Sequence, residues 1–169
     1  LASIMYTLQI YCDFAGYSNI AIGAAKVMGF RLMENFHYPY FSLNIKEFWR
    51  RWHISLSSWF MDYLYIPLGG NRVKYSRHLL NLMITFLVSG IWHGANWTFV
   101  LWGALHGTYL IIGNIWRKFI YEPKYKGTIF KIISTSFCFF LVAFAWIFFR
   151  ANSLEDAFLL IQKIFTQLG

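Results

Sequence analysis

Two histidines set among tryptophans and serines are the side chains of this sequence best suited to chemistry. His93 lies in the segment Ser89–Trp97, and His53 lies in the segment Phe48–Ser57. A neutral imidazole can take a proton from a hydroxyl group, which is the task of a general base. We treat both residues as catalytic candidates, with His93 first. The alternatives are a hydrogen bond across two packed helices for His93, and an interfacial belt of aromatic and arginine side chains for His53.

Other polar side chains give weaker signals. His106 is flanked by small residues in an apolar run and is expected to pack and hydrogen-bond inside a helix. Asp13 follows an apolar run directly, so we expect a structural role, with the orientation of a buried histidine as the alternative. No two histidines stand three or four residues apart and no His/Cys cluster has ligand spacing, so neither a metal nor a haem site is predicted.

The composition indicates where these side chains must work. Of 169 residues, 58% are hydrophobic and 22% aromatic, and only 13% are charged. This hydrophobicity excludes a disordered chain, and a count of only two cysteines excludes a small disulfide scaffold. The net charge of +8 sits in short clusters between long apolar runs. The chain is therefore predicted to be an all-α, polytopic integral membrane protein that contacts membrane lipids and has no nucleic-acid partner.

The longest uncharged stretch, residues 78–116, surrounds His93 and His106. As one helix it would be about 58 Å long, whereas the hydrocarbon core of a bilayer measures about 30 Å. We therefore predict two helices, 79–92 and 97–116, separated at Gly94-Ala95-Asn96. The first is short for a full crossing, so the hairpin is also consistent with a re-entrant pair. A further crossing is predicted at 132–149.

The remaining segments are assigned from local patterns. We predict an apolar helical run at 1–12, a helix at 20–33, a loop at 34–44, an interfacial amphipathic helix at 45–65 and a turn at 67–71. A last helix is expected to begin after a Ser153 cap and to end near residue 168. Because the chain opens inside an apolar run without a basic leader, we expect the C-terminal part of one longer membrane domain rather than a signal peptide.

Basic residues predict the orientation. If the hairpin forms, two groups of lysines and arginines fall on one side, which the positive-inside rule makes cytoplasmic. Residues 150–169 then lie on the outer side. The first group contains Lys46, Arg50, Arg51, Arg72, Lys74 and Arg77, and the second contains Arg117, Lys118, Lys124, Lys126 and Lys131.

Six blocks of residues follow one another in a specific order. They are Asp13–Ser18, Asn35-Phe36 with Pro39-Tyr40, Glu47–Leu56, Asp62–Ile66, Leu68–Arg72 and Trp92–Asn96. Together they resemble the membrane-bound O-acyltransferase family, and within it most of all the bacterial alginate O-acetyltransferase branch. The resemblance covers about residues 10–117. Asn19 and Met61 depart from the alginate-like pattern, which often has Asp and Arg at these places.

The resemblance implies an enzyme that transfers an acyl group from a thioester to a hydroxyl. It places the catalytic histidine at His93 and a second polar active-site residue at His53, which positions the donor or stabilises the oxyanion. Arg50 and Arg51 are candidates for binding an anionic donor, either acetyl-coenzyme A or an acyl carrier protein. No permanently bound cofactor is expected.

The expected acceptor is an exported polysaccharide such as alginate, reached directly or through a periplasmic acetyltransferase partner, at a bacterial inner membrane. D-alanyl transfer to teichoic acid and acetyl transfer to peptidoglycan are the alternatives within the enzyme class. A non-catalytic membrane component of a polysaccharide export complex is the alternative from another class.

Overall fold

The computed structural model describes residues 1–119 and 127–166, and within them all regular structure is helical. These described residues form seven α-helices, with a 3-10 turn at Pro39–Phe41 and a π-helical turn at Met61–Tyr65. The α-helices are α1 (Ala2–Val27), α2 (Ile45–Arg51), α3 (Ile54–Phe60), α4 (Tyr75–His93), α5 (Trp97–Phe119), α6 (Thr128–Arg150) and α7 (Leu154–Thr166).

Helices α4 and α5 form the predicted hairpin, with the break at Gly94-Ala95-Asn96. Glycines let the two backbones touch. A Cβ atom added at Gly90 would clash with the carbonyl oxygen of Phe99, and one added at Gly103 would clash with that of Phe86. Small residues at helix contacts are the usual means of close packing in membranes. The hairpin is therefore held at a backbone separation that side chains would not permit.

The predicted single helix at 45–65 is wrong, because the chain breaks at Trp52-His53. His53 has a φ of +45°, a left-handed conformation that cannot continue an α-helix, and it becomes the N-cap of α3. Backbone hydrogen bonds join the preceding loop to this break. The amide of His37 donates to the carbonyl of Arg51 at 2.9 Å, and the amide of Ile54 donates to that of Asn35 at 3.0 Å.

Two other boundaries differ from the sequence prediction. The run at 1–12 and the helix at 20–33 are one helix, α1, which ends at Val27 before Gly29 adopts a φ of +86°. Small residues such as Gly23 are compatible with a continuous helix, so the local composition did not mark a helix end between the two predicted segments. The loop that follows, the turn with left-handed Gly69 and Gly70, and the Ser153 cap on the amide of Asp156 are confirmed.

The core joins α2, α5 and α6 through aromatic rings. Trp102 of α5 stacks on Trp146 of α6 with centroids 5.8 Å apart, and Trp146 lies 5.1 Å from Trp52 at the end of α2. Phe48 is likewise buried in this cluster. The short, broken segment α2–α3 is thereby anchored against two long helices.

Two of the described helices, α5 and α6, are long and apolar enough to cross a membrane. Each has 23 residues, or about 34 Å.

The start of α4 meets the end of α5, because the Lys118 ammonium lies 3.6 Å from the Tyr75 ring centroid. At the opposite end of the hairpin, the Asn96 amide donates to the carbonyl of Asn152. Among the predicted basic residues, Lys124 and Lys126 lie outside the described residues.

The hairpin contact gives a first prediction. Gly103→Val should lower the free energy of unfolding of the intact protein by about 1–3 kcal/mol, because the new side chain meets the Phe86 backbone. Thermal unfolding in detergent measures it. Gly113→Val is the matched control on the same helix, since a Cβ there has no neighbour within 4 Å. Equal stability of the two variants would contradict the packing described.

Candidate active site

His53 and His93 line the same cavity, although they come from elements that are distant in sequence. The cavity has a volume of about 310 Å³, and its walls are almost entirely aromatic and aliphatic. They are formed by Ile10, Phe14, Trp49, Trp52, His53, Leu56, Trp92, His93, Trp102, Trp146 and Phe149. We call this space the histidine cavity. An apolar lining with a few polar groups is typical of a ligand site.

The tautomer of His93 follows from its hydrogen bond. His93 is the last residue of α4, and its Nδ1 lies 2.6 Å from the carbonyl oxygen of Ser89, one turn earlier. A carbonyl oxygen only accepts, so Nδ1 must carry the proton. In the neutral imidazole, Nε2 then keeps a lone pair, and no described residue bonds to it. The rings of Trp102 and Phe149, at 4.9 and 5.5 Å, hold the imidazole in place. This geometry leaves Nε2 able to accept a hydrogen bond or a proton.

His53 is oriented by a second network that sequence reasoning missed. The Asn35 side-chain oxygen accepts from the Ser55 amide at 3.2 Å and from the Ser55 hydroxyl at 2.9 Å. Because a backbone amide only donates, this atom is the oxygen and not the nitrogen. His53 Nδ1 lies 3.2 Å from the same oxygen and therefore also carries the proton. The Asn35 amide donates in turn to the buried Ser18 hydroxyl at 3.1 Å.

Both imidazoles therefore have Nδ1 bound to an oxygen of the protein and a lone pair on Nε2. Burial lowers the pKa of His53, and the nearby imidazole of His93 lowers it further. His53 is consequently neutral at physiological pH and accepts hydrogen bonds at Nε2. Stabilising an oxyanion requires a donor, so this tautomer fits the positioning role predicted for His53 better than the oxyanion role.

A larger cavity of about 720 Å³ lies next to the histidine cavity and has a more polar wall. Lys46, Arg50, Asn71, His78 and Asn114 are among its lining residues. We call it the polar cavity. Trp49 and Leu56 line both cavities and thus form the wall between them.

The two arginines predicted to bind a donor are placed differently. Arg50 is exposed and lines the polar cavity. Arg51 donates to the Glu47 carboxylate at 2.6 Å, one helical turn away, and lines neither cavity. Glu47 also accepts from the amide of Leu43, so it ties Arg51 to the start of α2. Of the pair, Arg50 is the residue placed to meet a ligand.

The remaining polar candidates lie outside the histidine cavity. His106 is fully buried in α5, where the indole of Trp49 donates to its Nδ1 at 3.2 Å. Asp13 is exposed in the middle of α1 and not at its end. His78 exchanges a hydrogen bond of 2.8 Å with the Tyr65 hydroxyl. Across residues 1–119 and 127–166, no three His, Cys, Asp or Glu side chains are grouped to hold a metal ion.

Packed helices of this length and apolarity, with two oriented imidazoles that line an apolar cavity, are typical of a helical membrane protein with a candidate site for polar chemistry. Residues 1–154 match the model of the membrane-bound O-acyltransferase family. The chain belongs to that family, so it is part of a membrane-bound protein, as its composition predicts.

Three relatives illustrate the range of the family. The chain is 50% identical over 166 residues to the probable alginate O-acetylase AlgI of Azotobacter vinelandii, covering 98% of this chain and 32% of the relative. It is 46% identical to the peptidoglycan O-acetyltransferase of Helicobacter pylori, covering 93% and 29%. It is 35% identical to the teichoic acid D-alanyltransferase of Bacillus subtilis, covering 72% and 32%. The chain thus spans about a third of the length of these curated relatives.

The Asn35 network gives a second prediction. Asn35→Ala should lower the free energy of unfolding by about 1–3 kcal/mol, because it removes the shared acceptor of His53 and Ser55. Thermal unfolding of the intact protein in detergent measures it. Asn19→Ala, at an exposed position of α1, is the matched control and should change stability little. A loss no larger than that of the control would show that the network contributes nothing.

Proposed function

We propose that the intact protein transfers an acetyl group from a thioester to a hydroxyl of an exported polysaccharide, with His93 as the general base. One observation carries the proposal. His93 Nδ1 is bound to the carbonyl oxygen of Ser89, so the lone pair of Nε2 belongs to a ring that lines an apolar cavity. Such a base is oriented before substrate arrives and is partly buried.

The proposed reaction has two proton transfers. His93 Nε2 takes the proton as the acceptor oxygen attacks the thioester carbonyl carbon and forms a C–O bond. The tetrahedral intermediate then collapses, and the C–S bond breaks. The departing thiolate takes the proton back from Nε2, so that an ester and a free thiol leave and the imidazole is again neutral. No other cofactor is needed for this balance.

His53 has a positioning role in this proposal. Its Nε2 accepts a hydrogen bond, so it can hold an O–H of the sugar acceptor or an N–H of the donor's pantetheine arm. Its neighbours limit where that partner lies, because the ring of Phe14 packs edge-on against it with centroids 4.6 Å apart. The left-handed backbone at His53 directs the ring into the cavity at the cost of some strain.

The polar cavity is the proposed binding place of the donor. Arg50 and Lys46 line it, and both the phosphates of coenzyme A and an acidic acyl carrier protein carry negative charge. The thioester end of the pantetheine arm would then pass Trp49 and Leu56 to reach His93. Acetyl-coenzyme A and an acetylated carrier protein are the two donors that fit.

The lining of the histidine cavity favours a neutral acyl group. A D-alanyl thioester carries an ammonium group, whose burial without a partner is unfavourable. No acidic side chain lines the histidine cavity within the described part of the chain. Acetyl has no charge, and two of the three relatives above are named as acetyl-transferring proteins. This is why acetyl is preferred to D-alanyl.

We further propose a bacterial inner membrane with the basic ends of α4 and α5 on the cytoplasmic side. Lys74 and Arg77 at the start of α4 and Arg117 and Lys118 at the end of α5 support this orientation. A donor made in the cytoplasm and a polymer exported to the periplasm would then reach His93 from opposite sides. A periplasmic acetyltransferase that takes over the acetyl group is the alternative acceptor.

A direct test uses the intact protein in its native membranes with radiolabelled acetyl donor. His93→Ala, at matched membrane levels, should reduce the label in exported polysaccharide by about 10²-fold or more, because the base is removed. His37→Ala is the matched control, since this exposed imidazole lines neither cavity.

The outcomes separate the candidate functions. Label that is unchanged in the His93 variant would remove His93 as the base and favour a non-catalytic component of an export complex. No label from wild-type protein with acetyl, but label with a D-alanyl donor, would contradict the acetyl assignment and keep the acyl transfer. The labelled polymer itself, alginate-like or peptidoglycan, identifies the acceptor.

A further inference from the structure

Trp49 occupies a special position among the residues around His93. It is one of two side chains that line both cavities, the other being Leu56, so its indole forms much of the wall between the polar cavity and the histidine cavity. A donor that arrives through the polar cavity must pass this ring to bring its thioester to His93.

The indole is held in place from several directions. The ring of Phe86 packs edge-on against it at 5.1 Å, and that of Trp102 does so at 5.8 Å. Its N–H donates to His106 Nδ1 at 3.2 Å, and the two rings are 4.9 Å apart and nearly perpendicular. One hydrogen bond and flanking rings on α4 and α5 therefore fix the rotamer.

His106 has this single hydrogen bond among the described residues. An indole N–H only donates, so His106 Nδ1 is the acceptor and Nε2 carries the proton. Nε2 is buried and has no partner. Burying a polar side chain fully among apolar groups is costly, and among the described residues the one side-chain hydrogen bond of His106 is with Trp49. The role that this arrangement defines for His106 is to position Trp49.

We infer that Trp49, held by His106, is the residue that limits the size of the acyl group admitted to His93. The inference rests on the proposed acyl transfer and adds to it a determinant of specificity. Trp49 is the specificity residue and His106 is a positioning residue. A large, fixed ring at the junction admits a short acyl chain, and a longer or branched chain meets the indole before its thioester reaches Nε2.

The test compares acetyl-, butyryl- and hexanoyl-coenzyme A as donors for the intact protein in native membranes. Trp49→Ala should raise transfer of butyryl relative to acetyl by about tenfold or more, because each methylene that a pocket excludes changes specificity by about that factor. Trp59→Ala is the matched control, since this half-exposed tryptophan of α3 lines neither cavity. It should keep the wild-type preference.

The His106 variants keep the inference testable if Trp49→Ala fails to fold. His106→Leu removes the acceptor and should relax the preference for acetyl. His106→Asn places an amide oxygen near the position of Nδ1 and should restore it. A purely structural role for His106 would lower the amount of folded protein in both variants and leave the chain-length preference unchanged, and that result would overturn the inference.

A labelling experiment separates failure of this inference from failure of the proposed function. Ile10 lines the histidine cavity and is replaced by cysteine in intact protein in which every native cysteine, Cys12 and Cys138 among them, is replaced by serine. With Trp49→Ala added, N-ethylmaleimide should modify this cysteine several-fold faster than with Trp49 present. If neither these coenzyme A thioesters nor an acetylated carrier protein supports transfer in wild-type protein, the proposed function is wrong, and the labelling rate alone decides whether Trp49 closes the cavity. Equal labelling rates, or equal use of hexanoyl and acetyl donors by wild-type protein, would contradict the inference.

Discussion

The close approach of α4 and α5 is the constraint on which the site depends. Because Gly90 and Gly103 have no side chains, the two backbones meet, and Trp102 of α5 is brought against the ring of His93 at the end of α4. The same contact places His106 near α2, where it reaches Trp49. If the hairpin opened by the width of a methyl group, the His93 ring would lose its contact with Trp102 and the Trp49 indole would lose its hydrogen-bond acceptor.

Both histidines obtain their tautomer from an oxygen atom of the protein beside them. His93 stands at a helix end, so its ring can reach the carbonyl of the preceding turn. His53 stands at a helix break, where a loop residue, Asn35, supplies the oxygen. In each case one nitrogen is bound to the protein and the other keeps its lone pair. The fold thus sets the tautomer without a carboxylate partner, which an apolar cavity would solvate poorly.

The two cavities differ in the charge of the side chains that line them. The polar cavity carries the arginine and lysine side chains that suit a charged donor, and the histidine cavity carries none. The charged side chains are therefore kept out of the histidine cavity, whose apolar lining would strengthen electrostatic interactions. A single aromatic ring marks the boundary.

The sequence by itself determined the class, the membrane setting and the helix break at residues 94–96, and it named His93 and His53 as candidates, because hydropathy, charge and ordered motifs are local properties. It did not predict the break at His53, since a left-handed residue inside an amphipathic pattern leaves no mark on periodicity. It also did not reveal the pairing of Asn35 with His53 or of Trp49 with His106, 18 and 57 residues apart along the chain. Such hydrogen bonds depend on how helices and loops meet, and only the tertiary structure decides that.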